Sequence, residues 1–532
     1  MPSNYPTIIL PILLGLNLRD DITRLNAGEC AIATNVIINT DGSVERVDGY
    51  TNKLSSSLGT SMASSLFGVE KDSGSYEVYF KYETDLYQLD IVNWTHRKIY
   101  DSFFSDSILG YAFYNDYIYV GDGIAENKVI IPTPIHWLNR AEITTADATD
   151  LTSAISLANE IKSDYNIHIA STSQHNVADT SNSVTSSNAT DLTSAIILVN
   201  EIKSDFNNHR IATGIHDTVD SYHQIEAANA SDLSTLITLI NEIKLLYNQH
   251  INCCKVMKWG IKAPTGAATA SAVSGSGLGI GTYKYVYTYY NIVDGVESPP
   301  SPLVSVTTTS GNQNVSLSNI GKSTDPQVTH KRIYRTVVGG STYYRVTDIT
   351  NRTTTYTDTT SDASLGTTLK TENFAEIPKT SIFTIHNERI YMSGNLENPN
   401  KVYYTEPFYP HFYNEAYNYF DFNGTIKALA TIDNGLFIFE KYKHWKYAGL
   451  SPTNMTPIVM SEYEGCTNPY GVTYINKNPV WVSNTGIKYW DGEKIIPLSL
   501  LIDKELLTHN LDSCNLVYNH YKNILYVFFA EN

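Results

Sequence analysis

Positive charge, paired cysteines and long apolar runs are all scarce in this sequence. Over 532 residues, 37 Lys and Arg stand against 54 Asp and Glu, a formal net charge of −17. A surface with that balance is not built to grip nucleic acid or anionic lipid, although a duplex could pass nearby without adhering. The five cysteines (Cys30, Cys253, Cys254, Cys466, Cys514) contain no Cys-x-x-Cys pair, which removes zinc ribbons and thioredoxin-type motifs. Assembly in a reducing cytoplasm is expected, with Cys253 and Cys254 as buried small side chains rather than a vicinal disulfide. The opening, MPSNYPTIILPILLGLNL, is apolar but has no leading Lys or Arg and is broken at Pro11. It is too short to span a bilayer and lacks the charged start of a signal peptide, so residues 1–29 read as an arm or first strand.

Motifs for catalysis are equally thin. There is no Gly-x-Ser-x-Gly elbow, no His-Glu-x-x-His pair and no EF-hand loop. Gly275–Gly281 resembles a nucleotide loop only superficially, because it precedes a strand and lacks the Walker Lys-Ser/Thr. It reads as part of a Gly/Ser/Ala linker from Pro264. A carboxylate pair in a pocket, as in glycosidases, cannot be located by spacing. No catalytic, cofactor-binding or metal residue is assigned, and the chain is read as a non-enzyme.

What is abundant is tyrosine, 39 residues against 16 Phe, in a chain that is 42% hydrophobic and 17% charged. Such a composition points to a folded, mainly β protein, since the tyrosine ring packs on a pleated face while its hydroxyl stays wet. Residues 30–135 and 371–532 share a recurring pattern in which a strand leads through a tight polar turn into a strand rich in Tyr, Ile and Val. Ala112–Val120, Thr384–Met392, Ala430–Ile438 and Val472–Trp481 are examples. Their Asn-Asp, Asn-Glu and Asp-Asn-Gly turns tolerate the positive φ of a tight hairpin. Four-stranded units every 40–50 residues or so predict a β-propeller, without the WD40 signature. A hairpin at Asn35–Val47 is expected to pair with the final strands, Cys514–Tyr518 and Asn523–Phe529, closing the ring and removing exposed edges.

Two insertions interrupt this pattern. In residues 136–252 a unit recurs with a 41-residue period: Asp150-Leu151, Asp191-Leu192 and Asp232-Leu233; then Asn159, Asn200 and Asn241; then His168, His209 and His250. Each unit opens on a Thr/Ser-Asp pair suited to cap a helix. Leu151, Ile155, Ala158, Ile161, Tyr165 and His168 then share one helical face. Three such helices can bury one another's stripes. His168, His175 and Asp179 recur as His209, His216 and Asp220. A His/His/Asp set suits a divalent metal, but packing of a duplicated module is the favoured reading. In residues 253–370 the period becomes two, with Tyr283, Tyr285, Tyr287 and Tyr289 on one face. Short strands follow at regular spacing, which predicts a small immunoglobulin- or fibronectin type III-like β-sandwich. The tyrosine stripe could bind sugars, but packing is favoured.

The segment Gly15–Tyr50 resembles the start of bacteriophage (podovirus-type) tail nozzle or tail hub proteins. The residues that carry this are Asn17, Arg19 and Asp20; Leu25, Gly28 and Glu29; Asn35, Val36, Asp41 and Gly42; and Arg46 and Gly49. The proline that usually follows Arg46 is replaced by Val47-Asp48. GTYKYVYTYYNIVDGVESPPSPLVSV (Gly281–Val306), KRIYRTVVGGSTYYRV and TTTYTDTTSDASLG are similar to the sandwich such proteins often carry. The resemblance implies a structural virion protein, assembled in the bacterial cytoplasm into a homohexameric ring below the portal and adaptor. It would conduct genomic double-stranded DNA during ejection without sequence-specific binding, anchor tail fibres or spikes, and not insert stably in a membrane. The rival expectations are a glycan-binding propeller adhesin and, behind it, a propeller glycoside hydrolase.

Overall fold

The computed structural model describes residues 65–500 and 506–529, apart from 72, 105–106, 133, 139, 371, 374 and 520–523, together with residue 58 and the short strands Gly15–Leu16, Glu29–Cys30, Val36–Ile38 and Val44–Arg46. The arm (1–29) and the motif residues of Gly15–Tyr50 therefore lie largely outside the described residues. The chain is mainly β, with several small, almost entirely antiparallel sheets and, among the described residues, three α-helices. It divides into two compact units. One holds residues 57–379 and 405–418; the other holds 1–56, 380–404 and 419–532.

In the second of these units, three four-stranded antiparallel sheets follow one another along the chain, each with its strands in sequence order. They are Ile382–His386 to Tyr419–Asp421, Ala428–Ile432 to Thr456–Ser461, and Val472–Ile475 to Ile495–Pro497. The predicted hairpin chemistry is borne out here. Asn387-Glu388 and Asn476-Lys477 adopt positive φ (45° and 61°, 50° and 68°), the left-handed geometry that matches strand twist. At Asp433-Asn434-Gly435 the positive φ falls on Gly435 instead. A Cβ there would sit 2.0 Å from the Tyr447 carbonyl oxygen of the next strand, so only glycine fits. The strands Cys514–Asn519 and Ile524–Phe529 pair with each other, as do Val36–Ile38 and Val44–Arg46. Among the described residues no ladder joins these two hairpins.

The other unit opens with two more sheets of the same kind. Ser65–Glu70, Tyr76–Tyr82, Asp85–Asp90 and Thr95–Tyr100 form the first. Gly110–Tyr114, Tyr117–Gly121 and Lys128–Ile130 begin the second, whose turn residues Asn115 and Asp116 again have positive φ. Its fourth strand, Val256–Lys258, arrives only after the helices, with Val256 opposite Ile130. The helical segment is thus inserted inside a sheet, between its third and fourth strands. The excursion expected as a single block over 136–370 is two, and the sandwich begins after Lys258 rather than at 253. Three residues are too few to show a strand period, which is why this strand is silent in the sequence.

The sandwich segment has a three-stranded sheet (Thr269–Val273, Asn314–Ser318, Tyr356–Asp358) and a four-stranded one (Val304–Thr308, Gly281–Tyr290, His330–Thr336, Tyr343–Thr350). Residues of both sheets share one core: Tyr283, Tyr285 and Tyr287 meet Val315 and Leu317. The tyrosine stripe is accordingly packing. Labelled A to G in chain order, the strands pair as A-D-G and C-B-E-F, which is not the ABED/CFG order of an immunoglobulin constant domain. Part of the expected linker is strand as well. Ala270 and Ala272 pack against the core, small residues opposite large tyrosines, and their smallness hid the strand.

The helices α1 (Leu151–Ile169), α2 (Leu192–His209) and α3 (Leu233–Ile251) start where expected. Asp150, Asp191 and Asp232 each accept the amide of the residue three further on, and Ser153, Ser194 and Thr235 reach back to complete a capping box. Asp191→Ala should destabilise the helical segment by removing the cap on the Ser194 amide. Thermal unfolding followed at the helical circular-dichroism band would show a small downshift, and Asp191→Asn would retain most of the stability.

Candidate metal centre

The 41-residue period builds a closed ring of three units. Asn159 donates to the Ala189 carbonyl (3.0 Å) and accepts its amide (2.7 Å). Asn200 does the same with Ala230, and Asn241 closes the circle on Ala148 (3.0 Å and 2.7 Å). Tyr165, Phe206 and Tyr247, again one per repeat, meet with ring centroids 6.4–6.5 Å apart. One turn further on, each helix carries a histidine in its last turn: His168, His209 or His250.

Those three imidazoles face three more from outside the helices: His175 and His216 from the loops after α1 and α2, and His136 from the chain before α1. All six residues are at most 5% exposed. Ring centroids 4.5–5.4 Å apart, with interplanar angles of 63–88°, join every ring to all but one of the other five. The pairs left without a ring contact are His136 with His209, His168 with His216, and His175 with His250. Two triangles, one of helix-end histidines and one of loop histidines, therefore face each other in staggered fashion. The rings stand at the corners of an octahedron.

Hydrogen bonds orient four of the rings. The Nδ1 of His209 is 2.9 Å from Asp179 Oδ2, and that of His250 is 2.7 Å from Asp220 Oδ2. His175 Nδ1 meets the Ser171 carbonyl (3.0 Å). His168 Nδ1 meets Gln174 Oε1 (3.1 Å), whose amide nitrogen is fixed in turn on the Leu138 carbonyl. Each partner is an acceptor, so each Nδ1 carries a proton, and in the neutral ring Nε2 then presents a lone pair. Nε2 of His175 and His250 has no protein partner, nor does either ring nitrogen of His136 or His216. Nε2 of His168 and Nε2 of His209 face each other at 3.3 Å. Unsatisfied buried groups of this kind cost about 1–3 kcal/mol each.

Burial disfavours the charged form of five of the rings. Burial, reinforced by the neighbouring imidazoles, holds His136 and His168 well below the ordinary histidine range, and takes His175 to about 3. Burial likewise lowers His250 to about 4, against the opposing pull of Asp220. The hydrogen bond from His209 holds Asp179 below the usual carboxylate range. Burial would raise Asp220, but the charge and hydrogen bond of His223, with the hydrogen bond of His250, outweigh it and leave Asp220 well below that range. Neutral imidazoles with an outer carboxylate on Nδ1 are the form in which histidine ligates a cation. One nitrogen from each of His136, His209, His216 and His250, and likewise of His136, His168, His175 and His209, lies within 4.8 Å of the others in its set.

The sequence singled out His168, His175, His209, His216 and His250, and the structure brings all five together, with Asp179 and Asp220 in the layer behind. Packing accounts for their burial and not for their inward nitrogens. Sequence reasoning missed His136 and Gln174. The repeat demands a third loop histidine at position 257, where Met257 stands; His136 supplies it from the other end, 39 rather than 41 residues before His175. Extending the period backwards with a two-residue tolerance would have found it. Cys253 and Cys254 are free and buried, as expected, and so are Cys466 and Cys514.

No protein-family model matches this chain, and no curated protein matches it. Among solved structures, it aligns with the extracellular domain described as a hybrid two component system of B. thetaiotaomicron, at 10% identity and a TM-score of 0.20. A second structure, described as the extracellular domain of a one component system of the same organism, aligns at 8% identity and a TM-score of 0.20. Each alignment covers 92% of this chain, which spans 59% of the length of those relatives. Likeness at that level carries no argument about fold or activity.

Proposed function

We propose that this chain is a structural subunit of a bacteriophage tail, of the nozzle or hub kind, assembling as a ring below the portal and adaptor. The observation that carries the reading is the order of modules. One four-stranded antiparallel sheet precedes a helical insertion, a second encloses it, and three more follow a two-sheet segment, each with its strands in chain order. This is the sequence of parts that the resemblance of Gly15–Tyr50 and Gly281–Val306 leads one to expect. On this reading the sheets before and after the insertions are blades of one propeller, and copies of the chain form the conduit as a homohexamer. The net charge of −17 supports it physically, because a lumen rich in Lys and Arg would hold the duplex through counterion release. Among the described residues no helix is long and apolar enough to cross a membrane. The insertions would project outward, where tail fibres or spikes attach.

Negative-stain imaging of the purified full-length protein, alone and with a portal–adaptor complex, tests this. A ring that forms on the adaptor is the expected result. A monomer that ignores the adaptor and binds an immobilised glycan instead would replace the reading with the adhesin alternative.

A further inference from the structure

We propose that the six histidines His136, His168, His175, His209, His216 and His250 bind one divalent first-row transition metal in octahedral, all-imidazole coordination, as a closed structural site. The octahedral placement of the rings is the first argument. Centroid separations of 4.5–5.4 Å put the common centre roughly 3.5 Å from each ring, and so about 2.4 Å from the nearest ring nitrogen, close to the metal–imidazole distance of about 2.0–2.1 Å known for zinc. The unpartnered inward nitrogens are the second. Lone pairs that converge without a donor are relieved by a cation at their centre, and the 3.3 Å approach of His168 Nε2 to His209 Nε2 suits two adjacent ligands of one ion.

Asp179 and Asp220 are buried carboxylates that accept Nδ1–H from His209 and His250, and their negative charge behind the rings favours a cation at the centre. The C-terminal ends of α1, α2 and α3 converge on the same point, and their carbonyl dipoles add to the attraction. Six nitrogen ligands favour an ion that accepts octahedral geometry, such as iron(II), cobalt(II) or nickel(II), over zinc in its tetrahedral structural sites. With every position taken by protein, no place is left for water or substrate. The ion's role is to clamp three helix ends and the segment around His136.

The test uses the full-length protein without a polyhistidine tag, expressed in medium supplemented with iron, cobalt, nickel and zinc. Elemental analysis after gel filtration should find one transition metal per chain. Apoprotein titrated with cobalt(II) should bind one equivalent and show the weak visible absorption of six-coordinate cobalt. The double variant His209→Ala/His216→Ala should lose stoichiometric metal. Asp220→Asn, which keeps every ligand, should bind 10- to 100-fold more weakly, the range seen when an outer partner is removed. Wild-type protein that is folded by circular dichroism, carries no metal and takes up neither cobalt(II) nor nickel(II) would overturn the proposal. An intense four-coordinate cobalt spectrum would overturn the six-ligand assignment.

Discussion

Asp358→Ala should destabilise the two-sheet segment by about 3 kcal/mol, because it strips a buried guanidinium of its one fully buried counter-charge. Arg335 and Asp358 are both fully buried, with Arg335 Nε 2.8 Å from Asp358 Oδ2. The same carboxylate oxygen accepts the Tyr285 hydroxyl (2.8 Å), and its other oxygen accepts the Thr360 amide (2.8 Å). Asp362 Oδ1 meets Arg335 Nη1 at 2.6 Å, but Asp362 is partly exposed and offsets only part of the loss. For a segment of roughly 100 residues, 3 kcal/mol corresponds to a melting shift of more than about 10 °C. The double variant Arg335→Met/Asp358→Leu should recover most of the loss, since an apolar pair of similar volume often does as well as a buried ion pair. A double variant as unstable as Asp358→Ala would show that the neighbouring hydrogen bonds, not the stranded charge, set the cost.

Phe206→Ala is expected to cost a comparable 3–5 kcal/mol or so in the helical segment. Phe206 is fully buried where the three helices meet, between Tyr165 and Tyr247, with the His250 ring 5.2 Å away. Truncation opens a cavity that three capped helices tied through Asn159, Asn200 and Asn241 cannot readily collapse to fill. The helical band should melt well below its wild-type temperature while the β signal changes little. Phe206→Leu should lose much less. Equal losses for both would point to the aromatic contact with His250 rather than to volume.

Local rules carried much of the chain. Alternation at Tyr283–Tyr289 marked a core strand, Asn-Asp and Asn-Glu marked hairpins, and the Thr/Ser-Asp pairs marked helix starts, because each rests on backbone geometry within a few residues. Thr269–Val273 and Val256–Lys258 were not legible. Alanines opposite tyrosines give no hydrophobic signal, and a three-residue strand has no measurable period. The A-D-G and C-B-E-F strand order was hidden too, since pairing between distant strands is set by how the sheets share their core.

By itself, the sequence determined that the chain is mainly β, that three equivalent helices interrupt it, and that five histidines recur in register with them. Only the tertiary structure decided that the chain returns after these helices as the fourth strand of a sheet, and that His136 joins the five to complete a staggered pair of triangles. The reason is physical: periodicity constrains which face of an element is apolar, whereas the meeting of six side chains at one point depends on three-dimensional closure, here the Asn241–Ala148 contact across 93 residues of chain.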